Sequence, residues 1–404
     1  MAARTYPYHS ARRRAAARII DALGDRLLGD KRGRFPKAPA PPSPRDVQKV
    51  IVVRPDHLGD VVFATAAFSP LRALYPNAEI TALVGPWAAP LLIHHPHVDE
   101  VVSFRSPWFD RENHSGGRDL FDVFQWMRRR RFDVGLDLRG DPRVIALLAA
   151  GRVRHKVGYG RGGAGFLLSR ELEHMPGVHQ TERNVAVVQA LGWPRPDGFR
   201  PTPQLRVSEA ERGAMDRRLS SAGWNGGPSG GADPPKIGAW ERLAVLHPGA
   251  GYPTKRWRPV RYGALAKWLA ESRGYRIVLI GSGEEAALVS EVIRTAGPVG
   301  ALDLTGKNSL RELLALLARA DLMVGNDSGP VHIAAALGTR TVALFSGTND
   351  DAEWAPAGTR TRVVRKAVAC SPCALKVCTT HDHECMETLT VEAAQEAVLA
   401  CESS

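Results

Sequence analysis

Short blocks of consecutive apolar residues recur along the chain, each followed by a stretch in which apolar positions return every three or four residues. Lys49-Val50-Ile51-Val52-Val53-Arg54 is the first block. A β-branched run with no polar alternation is the signature of a strand buried on both faces. The same pattern predicts strands at 79–84, 101–104, 133–138, 243–246, 276–280, 301–304, 322–324 and 341–345. Helical spacing predicts helices at 60–75, 208–221, 259–272, 284–295 and 310–319, and a short small-residue helix that ends at Gly338. Strands that alternate with helices build a doubly wound parallel sheet.

The alternation breaks once, around 200–240, where a polar helix precedes a Gly-, Pro- and Ser-rich stretch at 223–235. A proline-rich segment at 38–44 reads as an extended linker. The expected organisation is therefore an N-terminal extension and linker at 1–45, a Rossmann-like domain at 46–205, a linker and insertion at 206–240, and a second Rossmann-like domain at 241–385. A C-terminal helix at 386–404 is expected to pack back toward the N-terminal domain. Ligands of such sheets bind beyond the carboxyl ends of the strands, so a cleft between two facing sheets is the expected active site.

A chain of 404 residues can bury two cores. Its formal charge of +12 is uneven: residues 1–49 hold twelve Lys/Arg against four Asp/Glu. Within them, residues 15–28 read as an amphipathic helix. Ile19, Ile20, Leu23 and Leu27 share a face, and Arg12, Arg13, Arg14, Arg18 and Arg26 supply charge. That pattern fits peripheral contact with an anionic membrane through residues 12–28, or a solvated extension. A nucleic-acid arm is disfavoured, because interleaved aromatics and a binding fold are lacking. No apolar run approaches the ~20 residues that cross a bilayer, and no secretory signal is visible. A cytoplasmic location, with peripheral association at the inner membrane face, is the expectation.

Polar loops follow the predicted strands. Arg54-Pro55-Asp56-His57-Leu58-Gly59-Asp60 follows the first, with Gly59 expected to permit a tight turn and Asp60 at a helix start. A carboxylate held there can accept a proton from a hydroxyl, or can merely cap the helix. His247-Pro248-Gly249-Ala250-Gly251-Tyr252-Pro253-Thr254-Lys255-Arg256-Trp257 is a glycine loop that leads to a hydroxyl and two cations, a fit for a diphosphate. Gly281-Ser282-Gly283-Glu284-Glu285 places acids where ribose hydroxyls are held in nucleotide folds. Gly325-Asn326-Asp327-Ser328-Gly329-Pro330-Val331-His332 is a polar loop at a helix N-terminus, where free N–H groups and the helix dipole favour phosphate. No dinucleotide or Walker fingerprint is present, which disfavours a dehydrogenase.

Cys370, Cys373, Cys378 and Cys385 form a cluster with His381 and His383 inside it. Reduced structural cysteines or a redox-labile pair are expected, with a zinc or iron–sulfur site as the alternative that the spacing allows.

These motifs, in this order, resemble the heptosyltransferase family, the ADP-heptose:lipopolysaccharide transferases of glycosyltransferase family 9. The resemblance runs from about Lys49 to Ala397 and is strongest at 54–60, 247–257 and 305–354. It implies a GT-B fold, with an acceptor-binding N-terminal half and a nucleotide-sugar-binding C-terminal half. It also implies inverting, metal-independent transfer with no cofactor beyond the nucleotide-sugar donor. The resemblance makes Asp60 the catalytic base. It makes Thr254, Lys255, Glu284, Asp327, Ser328, Gly329 and His332 donor-binding, with Glu285 as the alternative to Glu284. Arg54, His57 and Arg139 are the acceptor-side candidates. Its implied partners are a nucleotide sugar and a glycan or lipid-linked glycan, with no nucleic acid. The competing readings are a GT-B nucleotide-sugar epimerase and a non-catalytic nucleotide-sugar-binding protein.

Overall fold

The computed structural model describes residues 11–26, 40–106, 117–223 and 242–403. The chain divides into two units, Met1–Pro203 and Gln204–Ser404. Leu27, Leu28 and nearly all of the 223–235 insertion lie outside the described residues.

The first unit holds a six-stranded sheet in the order β3-β2-β1-β4-β5-β6. Its strands are β1 (Lys49–Arg54), β2 (Glu79–Val84), β3 (Glu100–Ser103), β4 (Val134–Asp137), β5 (His155–Tyr159) and β6 (Arg170–Leu172). All pairings are parallel, with Val50 opposite Ile80 on one side of β1 and Val134 on the other. Ile51, Val53, Leu83, Met127, Phe132 and Leu148 make a core on one face.

The second unit repeats the arrangement. Its sheet runs β12-β11-β10-β7-β8-β9. The strands are β7 (Arg242–His247), β8 (Tyr275–Leu279), β9 (Leu302–Asp303), β10 (Leu322–Asn326), β11 (Arg340–Phe345) and β12 (Thr361–Arg365), all parallel. Trp257, Tyr262, Leu265, Leu269, Ile277, Val324 and Leu344 pack together in its core. Trp257 is fully buried, and its indole N–H donates to Leu389 O at 2.8 Å, which satisfies the one polar atom that burial would otherwise strand.

In both sheets the opening strand is central and the order reverses beside it, between β1 and β4 and between β7 and β10. Crevices outside the carboxyl ends of strands at such reversals are where doubly wound sheets bind ligands.

Two segments outside the second sheet belong to the second unit. The C-terminal helix Val391–Glu402 belongs to the second unit: Ala394, Val398 and Cys401 are buried in that unit's core, and Glu402 pairs with Arg242 and Arg273. The helix expected at 208–221, within the 206–240 segment, is present. Helix Glu209–Ser221, closed by a capping box between Ser208 and Glu211, packs on helix Leu310–Arg319, and Arg311 Nε lies 2.6 Å from Glu211 Oε1. β5, β6 and β12 were not foreseen. Among the described residues no helix is long and apolar enough to cross a membrane.

Candidate active site

The first unit's loop leaves β1 at Arg54 and enters helix Leu58–Ala64 with His57 as its N-cap. Asp60 is the third residue of that helix, and its carboxylate does not cap it. Instead Arg54 Nη2 donates to Asp60 Oδ1 at 2.8 Å. Arg54 Nε lies 2.9 Å from Asp56 Oδ2, and Arg54 Nη1 donates to Leu138 O. Gly59 sits within the helix's first turn and not at a positive φ, so the expected tight turn is absent.

The loop after β4 completes the cluster. Asp137 accepts from the amides of Arg139 at 2.9 Å and Gly140 at 3.1 Å. Gly140 has φ +79°, and a Cβ there would meet Tyr159 O at 2.8 Å, so the turn needs glycine. This turn directs Arg139 onto Asp56, with which it forms an ion pair.

The electrostatics follow from burial. Burial pushes the Asp60 carboxyl up, but Arg54, Arg139 and His57 outweigh it and hold the group below the usual carboxylate range. Asp60 is therefore ionised at neutral pH. Asp56, with no exposed side-chain surface, is pushed up by burial and by Asp60 against the pull of Arg54 and Arg139. Burial takes Asp137 up to about 7, against the lowering effect of the amides it accepts from.

Arg54 was expected on the acceptor side. In the structure the side chain is 4% exposed and its guanidinium spans Asp56, Asp60 and Leu138 O, which places it to hold Asp60. His57 is exposed and Arg139 is 37% exposed, so both retain surface.

The second unit builds a different site. β7 ends at His247 and runs into the glycine loop; β10 ends at Asn326. Asn326 is fully buried and ties the two loops: its Oδ1 accepts from Trp257 N and Tyr262 OH, each at 3.1 Å, and its Nδ2 donates to Pro248 O at 2.8 Å. Ser328 is the N-cap of helix Gly329–Ala336, yet its hydroxyl does not cap it. That hydroxyl donates to Asn326 O at 3.0 Å and lies 3.0 Å from His247 Nδ1. The helix N-terminus therefore lacks a side-chain cap, as an anion seat requires.

Lys255 Nζ donates to Asp327 Oδ2 at 2.7 Å, Asn349 Nδ2 donates to the same oxygen at 2.7 Å, and His332 Nε2 lies 3.5 Å from Oδ1. Burial raises the Asp327 carboxyl, but His332 and Lys255 bring it down to about 2. An ammonium has three donors, so the ion pair leaves Lys255 able to hold a phosphate oxygen as well.

Thr254 and Glu284 are placed differently from the other donor-side candidates. Thr254 is 4% exposed and its hydroxyl donates to Leu375 O at 2.7 Å, so it braces a neighbouring loop. Glu284 is exposed on the Gly283–Glu285 turn, whereas Glu285 turns inward. Glu285 accepts from Ser282 N at 2.8 Å and lies 3.3 Å from His247 Nε2. It also fills the space that a Cβ on Gly249 would need. Burial raises its carboxyl, but His247 and Ser282 bring it down to about 2. The geometry thus favours Glu285 over Glu284 as the acid beside the glycine loop.

Sequence reasoning missed His247, which links Glu285 to Ser328, and Asn349. The signal for Asn349 was the polar run Ser346-Gly347-Thr348-Asn349 directly after an apolar strand.

The sequence and fold both have known relatives. The family model of glycosyltransferase family 9 (heptosyltransferase) matches residues 120–383. Lipopolysaccharide heptosyltransferase 2 of Salmonella typhimurium is 29% identical over 330 residues, covering 78% of this chain and 88% of that protein. Lipopolysaccharide heptosyltransferase 3 of Escherichia coli K12 is 26% identical over 308 residues, covering 74% and 82%. The solved structure of E. coli ADP-heptose lps heptosyltransferase II matches with a TM-score of 0.68 at 24% identity, covering 88% of this chain and all of that one. That likeness supports the GT-B fold, two Rossmann-like units of the kind found here. The chain belongs to glycosyltransferase family 9, the heptosyltransferases.

Proposed function

We propose that this enzyme transfers a heptose from ADP-heptose to a lipopolysaccharide-core glycan with inversion, using Asp60 as general base. The observation that carries the reading is the second unit's switch point. There a helix N-terminus without a side-chain cap, Lys255 and a glycine loop meet at the ends of β7 and β10, the set of groups that a nucleoside diphosphate requires.

The chemistry is a direct displacement. The acceptor hydroxyl attacks the anomeric carbon, the bond to the diphosphate breaks, and the hydroxyl proton passes to Asp60. Arg54 holds Oδ1 of that carboxylate. An aspartate of lowered pKa is a weak base toward a free alcohol. The attacking oxygen becomes acidic as its new bond forms, so proton transfer late in the reaction suits an ionised carboxylate already in place. Negative charge builds on the departing diphosphate, where Lys255 and the amides at Ser328–Gly329 stabilise it. Glu285 binds the ribose hydroxyls, and His57 and Arg139 contact the acceptor.

The named relatives support the sugar, nucleotide and acceptor. Lipopolysaccharide heptosyltransferases 2 and 3 carry the acceptor class in their names, and solved E. coli heptosyltransferase WaaC structures hold ADP and ADP-2-deoxy-2-fluoro heptose. A thermal-shift panel of ADP-, GDP- and UDP-sugars tests the donor assignment. ADP-heptose is expected to raise the midpoint most; a larger shift with a GDP- or UDP-sugar would reassign the base.

A peripheral membrane contact at the cytoplasmic face completes the reading. Helix Ala11–Gly24 is anchored by Asp21, 2% exposed, whose Oδ1 accepts from Ala164 N at 2.7 Å. Ile19, Ile20 and Leu23 are each more than half exposed. Apolar side chains beside arginines suit an anionic lipid surface. Replacing all three with Ser is expected to reduce binding to anionic liposomes; undiminished binding would discard this contact.

A further inference from the structure

Four of the five cysteines lie between β12 and the C-terminal helix, and the structure gathers them. Cys370, Cys373, Cys378 and Cys385 all line one cavity of about 20 Å³, together with His383 and Thr254. A space of that size admits one water or one ion. All four cysteines are unbridged. The fifth, Cys401, sits apart in the core, with its Sγ toward Thr341 O.

The loop that carries the thiols is tied to both donor-side loops. Cys373 N donates to Gly347 O at 2.9 Å and Ala374 N to Thr348 O at 3.0 Å, next to the Asn349 that holds Asp327. Thr254 Oγ1 donates to Leu375 O, His383 Nε2 lies 2.7 Å from Thr254 O, and Lys376 Nζ stands 5.3 Å from the centre of the Tyr252 ring. Thr254 adjoins Lys255.

We propose that Cys370, Cys373, Cys378 and Cys385 bind one thiophilic divalent metal ion, zinc or iron, and that this ion staples the loops carrying Lys255 and Asn349. Four sulfur ligands around a single small cavity select such ions. The side chains line the cavity without standing at ligating geometry as they are. Binding therefore turns the thiols inward, and Cys378 gives up its hydrogen bond to Thr380 O. Each thiol that ligates releases its proton to solvent, so the four thiolates and the divalent ion carry a net charge of about −2. The stapling role rests on the donor-site reading above; the metal site does not.

The test uses the full chain, purified under reducing conditions without chelator. Elemental analysis is expected to find about one zinc or iron per chain, and the element found, with the visible spectrum, distinguishes the two. Cys373→Ser should lose the metal and Cys401→Ser should keep it. A second measurement does not depend on a variant folding. Wild type stripped of metal and titrated with Co²⁺ should develop a thiolate charge-transfer band that saturates near ~1 equivalent. Metal below about 0.1 per chain together with no saturating cobalt band would overturn the site. Stripping should also weaken donor binding at least ~10-fold while far-UV dichroism is retained, the range in which disturbed outer-shell contacts weaken a site. Bound metal with unchanged donor affinity would overturn the stapling role. A chain with no donor affinity in either state would break the donor reading and leave the metal count standing.

Discussion

Both units place a polar loop after the strand that opens them, β1 in one and β7 in the other, and a second polar loop after β4 or β10 beside it. The two pairs of loops then diverge. In the first unit they close into an ion cluster of Asp56, Asp60 and Asp141 with Arg54 and Arg139, in which Arg54 bridges Asp56 and Asp60 and the ionised Asp60 is left 14% exposed. In the second they meet at a helix end that has no side-chain cap, with Lys255 and Asp327 neutralising each other. The same topology thus supplies a place, and the loop residues decide what it does. On the proposed reading, a tight ion cluster fixes the charge state of a proton acceptor, whereas a glycine loop with an uncapped helix receives charge that arrives with a ligand.

Substitutions can break this contrast in graded ways. The largest effect is expected at Asp60. Asp60→Asn should cut turnover by at least ~100-fold while donor affinity, measured by calorimetry, stays within a few-fold. Turnover near that of wild type would remove Asp60 as the base. Lys255→Ala should do the reverse, with donor affinity falling ~10- to 100-fold; unchanged affinity would contradict its role.

Arg54→Lys sharpens the contrast within the first unit. Lysine cannot span Asp56, Asp60 and Leu138 O at once. With Asp60 as the base, the rate is expected to depend on its ionised form and to fall as pH drops through its pKa. Because Arg54 is the leading group opposing burial there, the acid limb of kcat/KM should move to higher pH in the variant. An unmoved limb would show that Arg54 does not set that carboxylate.

The smallest effect is a stability difference in the second unit. Glu285 titrates near 2 when folded against an ordinary value of 4.5. A depressed carboxyl contributes stability above the unfolded value, and that contribution fades as pH falls toward the folded one. Glu285→Gln should therefore lower stability by about 1–3 kcal/mol at neutral pH. In denaturant melts the deficit should shrink between pH 4.5 and about 2. A deficit independent of pH would mean that the charge is not what matters.

The central strands were legible because they are buried on both faces: β1, β2 and β11 are buried from their second residue onward, and β10 along its whole length. The edges were not. β6 spans only Arg170–Leu172, and every residue of β12 is half-buried, so neither shows an apolar run. β5 mixes His, Lys and Gly with two apolar residues. At the site, Asp60, Lys255, Asp327 and Ser328 could be proposed from sequence because their loops follow strand ends. The partners of Arg54 and Thr254 could not, because each is a backbone carbonyl far along the chain: Leu138 is 84 residues from Arg54, and Leu375 is 121 residues from Thr254. Nor could spacing alone choose between Glu284 and Glu285. The choice depends on which side chain the Ser282 capping box turns toward His247.

The most direct test of the account is release of ADP from ADP-heptose, followed with and without a core glycan that lacks the heptose. The account predicts release that depends on the glycan and matches, mole for mole, the heptose gained by it. Donor consumption at the same rate without any glycan, or no release with it, would contradict the assignment as a transferase.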